Sequence, residues 1–377
     1  MSMAPAARAG QIDTLRAFAV MAVIFSHTIT PEYAIGEFAF FEFGAYGVYI
    51  FFVISGFLIT GQLLDIKKLR EARDDGLAAP LKSFFAKRAL RLLPAYYLAL
   101  FGAWIIDLRT IRAEMPWHMA QLTNVLFGFD QQAEYTSPVG HLWSLSMEWQ
   151  FYLVWPFVIL LCGPRSLLAI TLGLIAFSFT AWLEVLPLPQ PILLTSIPAS
   201  LDSLGFGALL AIGVERRWPI ARFARHVWWV GLAVVIMTVP LMVGQADFGW
   251  ELAPYAHEML NVFFMLVVYR AYSGWTGMTG YVLNLAPLRY MGVISYGIYL
   301  YHQYILSAYE GLAARLWGRM PVDYGVLLTV SLLVISWIAA HFSWKWFEEP
   351  INRMRQRYSY PQKERPVTQT NITSGTS

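Results

Sequence analysis

Ile12-Asp13-Thr14-Leu15-Arg16-Ala17-Phe18-Ala19-Val20-Met21-Ala22-Val23-Ile24-Phe25-Ser26-His27 is a nearly continuous apolar run that carries an arginine and a histidine. Extended to residue 30 it is long enough to cross a bilayer as a helix. Ionisable groups inside such a span are costly, so they are functional suspects from the outset. Arg16 and His27 stand eleven residues apart. That is close to three helical turns, which puts both side chains on nearly one face about 16 Å apart along the axis. An imidazole is the side chain best matched to proton transfer near neutral pH, and a guanidinium the one best matched to phosphate. Together they suggest a site for a long, phosphate-tailed substrate.

Composition fixes the class. Of 377 residues, 57% are hydrophobic, 16% aromatic and only 14% charged, and the mean hydropathy is +0.50. No soluble core hides that much apolar surface, and neither a fibrous repeat nor a disordered polar bias is present, so an integral membrane protein is expected. No nucleic-acid partner is expected. The single cysteine, Cys162, excludes an internal disulfide framework and reads as packing. The first apolar run keeps Asp13 and Arg16 and lacks a small-residue cleavage site, so it reads as a retained helix rather than a signal peptide.

A window of about 19 residues gives ten candidate spans: 12–30, 44–64, 90–108, 143–162, 167–186, 197–214, 227–244, 257–273, 288–309 and 324–346. Lipid forbids open sheet edges, so these are helices. The expected fold is all-α and integral to the membrane, with about ten transmembrane helices. An even number puts both termini on one side. The link 65–91 holds eight Lys and Arg residues, 215–226 holds four and the tail from 345 holds six, whereas 31–43, 187–196 and 245–256 hold none. Arg109 with Arg112, and Arg315 with Arg319, are the pairs in the two remaining links. By the positive-inside rule both termini are cytoplasmic. The chain then divides into a short cytoplasmic N-terminus at 1–11, a membrane domain at 12–352 and a polar tail at 353–377 expected to be disordered. The expected location is the inner or plasma membrane.

Three further segments carry chemistry. Leu81-Lys-Ser-Phe-Phe-Ala-Lys87-Arg88-Ala-Leu-Arg91-Leu-Leu-Pro94 reads as a basic amphipathic helix at the cytoplasmic face. Its i,i+3 spacing lets Arg88 and Arg91 grip one phosphate, although an ordinary positive-inside anchor has the same signature. His141-Leu-Trp-Ser-Leu-Ser146-Met-Glu148-Trp-Gln-Phe-Tyr152 sets His141 and Glu148 near one helical face, with Tyr152 a turn further on. At that depth Glu148 approaches His27, where a carboxylate would raise the basicity of the imidazole or orient it; an ion pair that merely ties two helices together is the alternative. No other ligand cluster completes a familiar metal set, so no metal is expected. In Ser295-Tyr-Gly-Ile-Tyr299-Leu-Tyr-His302, His302 either lines the pocket and meets a sugar hydroxyl or makes a structural hydrogen bond. Gly47 to Thr60 reads as close packing around Gly56, and Ser55 has no identifiable base beside it.

These segments together resemble the membrane acyltransferase-3 family of bacterial O-acyltransferases. Asp13-Thr-Leu-Arg16 followed by ten residues and His27 resembles the family's Arg-x10-His signature, and Phe51-Phe-Val-Ile-Ser-Gly-Phe-Leu-Ile-Thr60 resembles its second helix. Arg88-Ala-Leu-Arg91 matches its Arg-x-x-Arg element, and His141 to Tyr152 its Glu-bearing segment. Weaker fits at Ser295 to His302 and at Trp346-Phe-Glu-Glu-Pro350 extend the likeness over residues 12–352. Trp149 stands where many relatives carry a second Glu, and Thr14 where Gly is usual. The chain is similar to the stand-alone type that lacks a fused hydrolase-like domain.

The resemblance implies transfer of an acyl group from acyl-CoA, commonly acetyl-CoA, to a hydroxyl of a surface glycan or a related small-molecule acceptor. It implies donor phosphates at Arg16, Arg88 and Arg91, and His27 with Glu148 as the catalytic pair. His27 is then either general base or covalent carrier. Asp13 would fix the rotamer of Arg16, or serve as a helix-end ion pair; His141, Ser146, Tyr152 and His302 would support the site. A multi-pass transporter or flippase using the same buried His, Arg and Glu as a relay is the competing class. It predicts inverted repeats with interrupted helices, which the sequence does not display.

Overall fold

The computed structural model of the protein describes residues 5–28, 41–105, 111–129, 139–183, 197–242, 249–317, 325–358 and 360. Among them no strand occurs. In chain order the helices are α1 (Pro5–Thr28), α2 (Phe41–Arg73), α3 (Ala78–Ile105), α4 (Ile111–Met119), α5 (Thr123–Phe129), α6 (Leu142–Leu161), α7 (Pro164–Trp182) and α8 (Ile197–Glu215). They continue with α9 (Ile220–Ala224), α10 (Val227–Met242), α11 (Gly249–Ser273), α12 (Gly277–Leu283), α13 (Ala286–Val293), α14 (Ser295–Trp317) and α15 (Val326–Ser343). A π-helical turn, Trp344–Glu348, leads into α16 (Glu349–Arg353) and a 3-10 turn, Met354–Tyr358.

Nine of the expected spans each coincide with one long helix. The tenth, 288–309, is broken at Ile294 into α13 and α14. The cause is tertiary: at Gly292 the backbone of α13 lies so close to the Asp13 carbonyl of α1 that any Cβ would collide with it, and the chain turns immediately afterwards. Among the described residues four stretches, Gly44–Arg73, Leu142–Leu161, Pro164–Trp182 and Val326–Tyr358, are long and apolar enough to cross a membrane on length and composition alone. The expected amphipathic helix and the following span are one helix, α3, with Pro94 inside it.

α2 organises the bundle. Its 33 residues reach about 50 Å, well beyond a hydrocarbon core of about 30 Å, so its basic last turns project past the apolar layer. It packs against α1, α6, α8 and α11. Gly56 and Gly207 let α2 and α8 touch backbone to backbone: a Cβ at Gly207 would collide with the Val53 carbonyl oxygen and lie 2.7 Å from the Phe57 nitrogen. Gly207→Leu is therefore expected to force the two helices apart, at a cost of about 1–3 kcal/mol or more for an overpacked contact. A thermal melt of the purified variant checks this, and an unchanged midpoint contradicts it.

The C-terminal segment is strapped across the end of the bundle. Tyr360 N donates to Ser83 Oγ at 3.1 Å, its hydroxyl donates to Asp75, and the Arg73 guanidinium stands 5.7 Å from its ring centroid. Beyond residue 353 the basic 3-10 turn docks on α3, and Tyr360 docks on Ser83 of α3 and on Asp75 of the α2–α3 link. Residues 361–377 of that tail, the links 31–40 and 187–196, Arg109 and Arg319 lie outside the described residues.

Candidate functional site

A cavity of about 90 Å³ opens between α1, α2, α3, α6 and α14. Arg16, Arg88, Arg91, Glu148 and Tyr152 all line it, so five of the expected site residues meet at one place. Its apolar wall is Phe51, Phe52, Leu58 and Ile59 of α2, and Ser144 and Tyr299 also line it.

The arginines differ in how they are held. Arg16 Nη1 bonds Asp13 Oδ1 at 3.2 Å, one turn back on α1, the arrangement expected from their i,i+3 spacing. Arg88 Nη2 donates to the neutral Gln62 Oε1 at 2.9 Å and stands 5.6 Å from the Tyr152 ring centroid. Arg91 lies 6.0 Å from the centroid of Trp344, which the π turn presents to α3. Among the described residues neither Arg88 nor Arg91 forms a salt bridge. The three guanidiniums are near enough to repel one another, with Glu148, Asp13 and Glu348 in electrostatic reach. Confined cations without a bonded counter-ion are unfavourable on their own and become favourable when an anion arrives.

Glu148 is not where the sequence set it. Its Oε1 accepts hydrogen bonds from the Ser55 and Tyr152 hydroxyls, and among the described residues it makes no hydrogen bond to His27. Ser55, which showed no partner in the sequence, thus lies directly on the carboxylate. Glu148 belongs to the arginine cavity, on the α6 wall between Ser144 and Tyr152.

His27 is not among the residues that line this cavity and instead joins a second cluster. Its Nδ1 is 3.0 Å from His302 Nε2 and 3.2 Å from Gln303 Nε2. His302 Nδ1 bonds the Tyr299 carbonyl at 2.5 Å, and His141 Nε2 donates to the Leu300 carbonyl at 3.1 Å. The His141 ring meets the His302 ring edge-on, with centroids 5.1 Å apart. His302 and His141 are buried and His27 is half-buried. Ser144 and Tyr299 form a layer shared by the two clusters: both line the cavity, both reach the His141 carbonyl, and the Tyr299 carbonyl accepts from His302. The Ser144 and Tyr299 hydroxyls lie 2.7 Å apart and each is within reach of the His141 carbonyl, at 3.1 and 3.0 Å; with one hydrogen apiece, one donates to the carbonyl and the other to its neighbouring hydroxyl. Among the described residues no group of three or more His, Cys, Asp or Glu side chains converges as metal ligands.

Ser146 stays apart: its Oγ is buried and finds no partner among the described residues. Sequence reasoning missed Gln303 and the tyrosine–serine layer, whose partners are distant in the chain. It also missed Arg355, which the docked tail brings within electrostatic reach of Arg88 and Arg91. The basic composition of the tail was its only sequence signal.

The chain matches the family described as "Acyltransferase domain" over residues 10–341, a range that holds both clusters. It belongs to this acyltransferase family. Among curated proteins it is similar to the Listeria monocytogenes peptidoglycan O-acetyltransferase OatA, 28% identical over 368 residues covering 91% of this chain and 55% of that protein. It is also similar to the Bacillus subtilis protein named "Putative peptidoglycan O-acetyltransferase YrhL", 28% identical over 366 residues covering 90% of this chain and 54% of that one. The acyltransferase chain thus spans about half the length of the curated relatives it matches. No solved structure matches it. Membership of an acyltransferase family does not favour the transporter reading.

Proposed function

We propose that the protein is a membrane O-acyltransferase that takes an acyl group, acetyl in the first instance, from cytoplasmic acyl-CoA and places it on a hydroxyl of a surface or exported glycan. The observation that carries this reading is the pair of confined guanidiniums, Arg88 and Arg91, that line the cavity beside Arg16 and, among the described residues, have no carboxylate bonded to either. Guanidiniums in this state suit the phosphates of a nucleotide thioester. The apolar wall of α2 suits its uncharged arm. The names of the relatives make a peptidoglycan sugar the first acceptor to try.

In this reading ten helices span the cell membrane with both termini in the cytoplasm, and the α2–α3 link brings Lys87, Arg88 and Arg91 to the cytoplasmic face. The thioester runs from the arginines towards His27, and the Ser144–Tyr299 layer parts to admit it. His27 takes the proton of the acceptor hydroxyl as its oxygen attacks the thioester carbonyl. The carbon–sulfur bond then breaks, and the coenzyme A thiolate leaves towards the cytoplasm and gains a proton there. Glu148 holds the cavity wall through Ser55 and Tyr152 and balances part of the arginine charge.

Sealed membrane vesicles test donor and orientation together. Vesicles with the α2–α3 link facing outward are expected to consume added radiolabelled acetyl-CoA and to acetylate glycan. Vesicles sealed the other way are expected to do so only after permeabilisation. Consumption in neither preparation, or only in the reverse orientation, overturns the reading.

A further inference from the structure

We infer that His302 is a positioning residue that fixes the tautomer of His27, so that the proton of the acceptor hydroxyl is taken by His27 Nε2. The catalytic part of this statement rests on the acyltransferase mechanism above; the tautomer itself follows from the geometry.

A backbone carbonyl can only accept a hydrogen bond. His302 is wholly buried, and its Nδ1 lies 2.5 Å from the Tyr299 carbonyl oxygen, so that nitrogen carries the hydrogen. A neutral imidazole protonated at Nδ1 presents a lone pair at Nε2. That lone pair faces His27 Nδ1 at 3.0 Å, which must therefore donate. The hydrogen of neutral His27 is then committed to Nδ1, and its free lone pair is at Nε2.

Ring geometry agrees. The His27 and His302 planes are 6° apart with centroids separated by 5.1 Å, too far for face-to-face stacking at an N···N distance of 3.0 Å. The rings meet edge to edge in nearly one plane, the direction in which a ring N–H points. Gln303 reaches the same His27 nitrogen at 3.2 Å. A half-turn of its amide exchanges nitrogen for oxygen with little movement, and the carbonyl then accepts the same hydrogen. No such exchange is open to the Tyr299 carbonyl, so His302 decides. His141, anchored to Leu300, braces the His302 ring edge-on.

An acceptor behind a working imidazole sets its tautomer and aim. Here the acceptor is an uncharged ring rather than a carboxylate, which suits a site where an additional buried charge is expensive.

The test uses full-length protein in lipid bilayers with ring-15N histidine. The His27 signals, identified by their loss in His27→Ala, are expected to show a protonated Nδ1 and an unprotonated Nε2. In His302→Leu that preference should be lost. In His302→Gln it should survive, because the glutamine carbonyl reaches the position of the lost Nε2. In turnover assays His302→Leu is expected to lower kcat about 10–100-fold, the range for removing an orienting partner. KM for acetyl-CoA should stay unchanged, and His302→Gln should recover kcat to within a few-fold. A wild-type His27 protonated at Nε2, or a His302→Leu protein with unchanged tautomer and kcat, overturns the inference. If the tautomer pattern appears while the wild type consumes no acyl-CoA, the positioning geometry is upheld and the acyltransferase reading is what fails.

Discussion

His27→Ala is expected to lower kcat for acetyl transfer about 10²–10⁴-fold, the contribution of a positioned general base. Binding of coenzyme A is expected to stay within about two-fold of wild type. The two effects separate because the structure separates the groups: His27 is bonded to His302 and Gln303, whereas the arginines line the cavity, which His27 does not. Removing the imidazole leaves every guanidinium of the cavity in place. Pre-steady-state thiol release and equilibrium binding on the same variant check the separation. A variant with wild-type kcat removes His27 from the chemistry.

Arg88→Leu and Arg91→Leu are each expected to raise KM for acetyl-CoA about 10–100-fold, since a hydrogen bond to a charged group is worth about 1.5–3 kcal/mol. Lysine at either position should recover only part of the loss, because an ammonium cannot grip a phosphate with two parallel bonds. The control is an acetyl thioester of pantetheine without the nucleotide. It offers no phosphate to the arginines, so wild type and variants should use it alike. Equal losses with both donors would mean that Arg88 and Arg91 hold the fold together rather than the donor. Arg88 has such a structural contact, to Gln62 at 2.9 Å, which makes the comparison necessary.

How much was legible in the sequence follows the distance over which each feature is determined. Long apolar runs set the helices locally, and the i,i+3 spacing of Asp13 and Arg16 gave their contact directly. The convergence of Arg16, Arg88, Arg91, Glu148 and Tyr152 on one cavity was legible only as separate suspects, with Glu148 expected beside His27 rather than beside the arginines. Pairings were not legible at all. Glu148 bonds Ser55, 93 residues away, and His27 bonds His302, 275 residues away. Helical spacing says which face a residue occupies but not which helix that face meets. The break at Ile294 was hidden for the same reason, since it answers to the Asp13 backbone lying against Gly292.

The most direct measurement is release of free thiol from acetyl-CoA by the purified protein in lipid, with and without a glycan fraction, for wild type and His27→Ala. The account predicts thiol release that depends on the glycan, appears as acetyl ester on it, and falls by at least about 10²-fold in the variant. Absence of any acyl-CoA consumption by the wild type, or release that persists unchanged without His27, would contradict it.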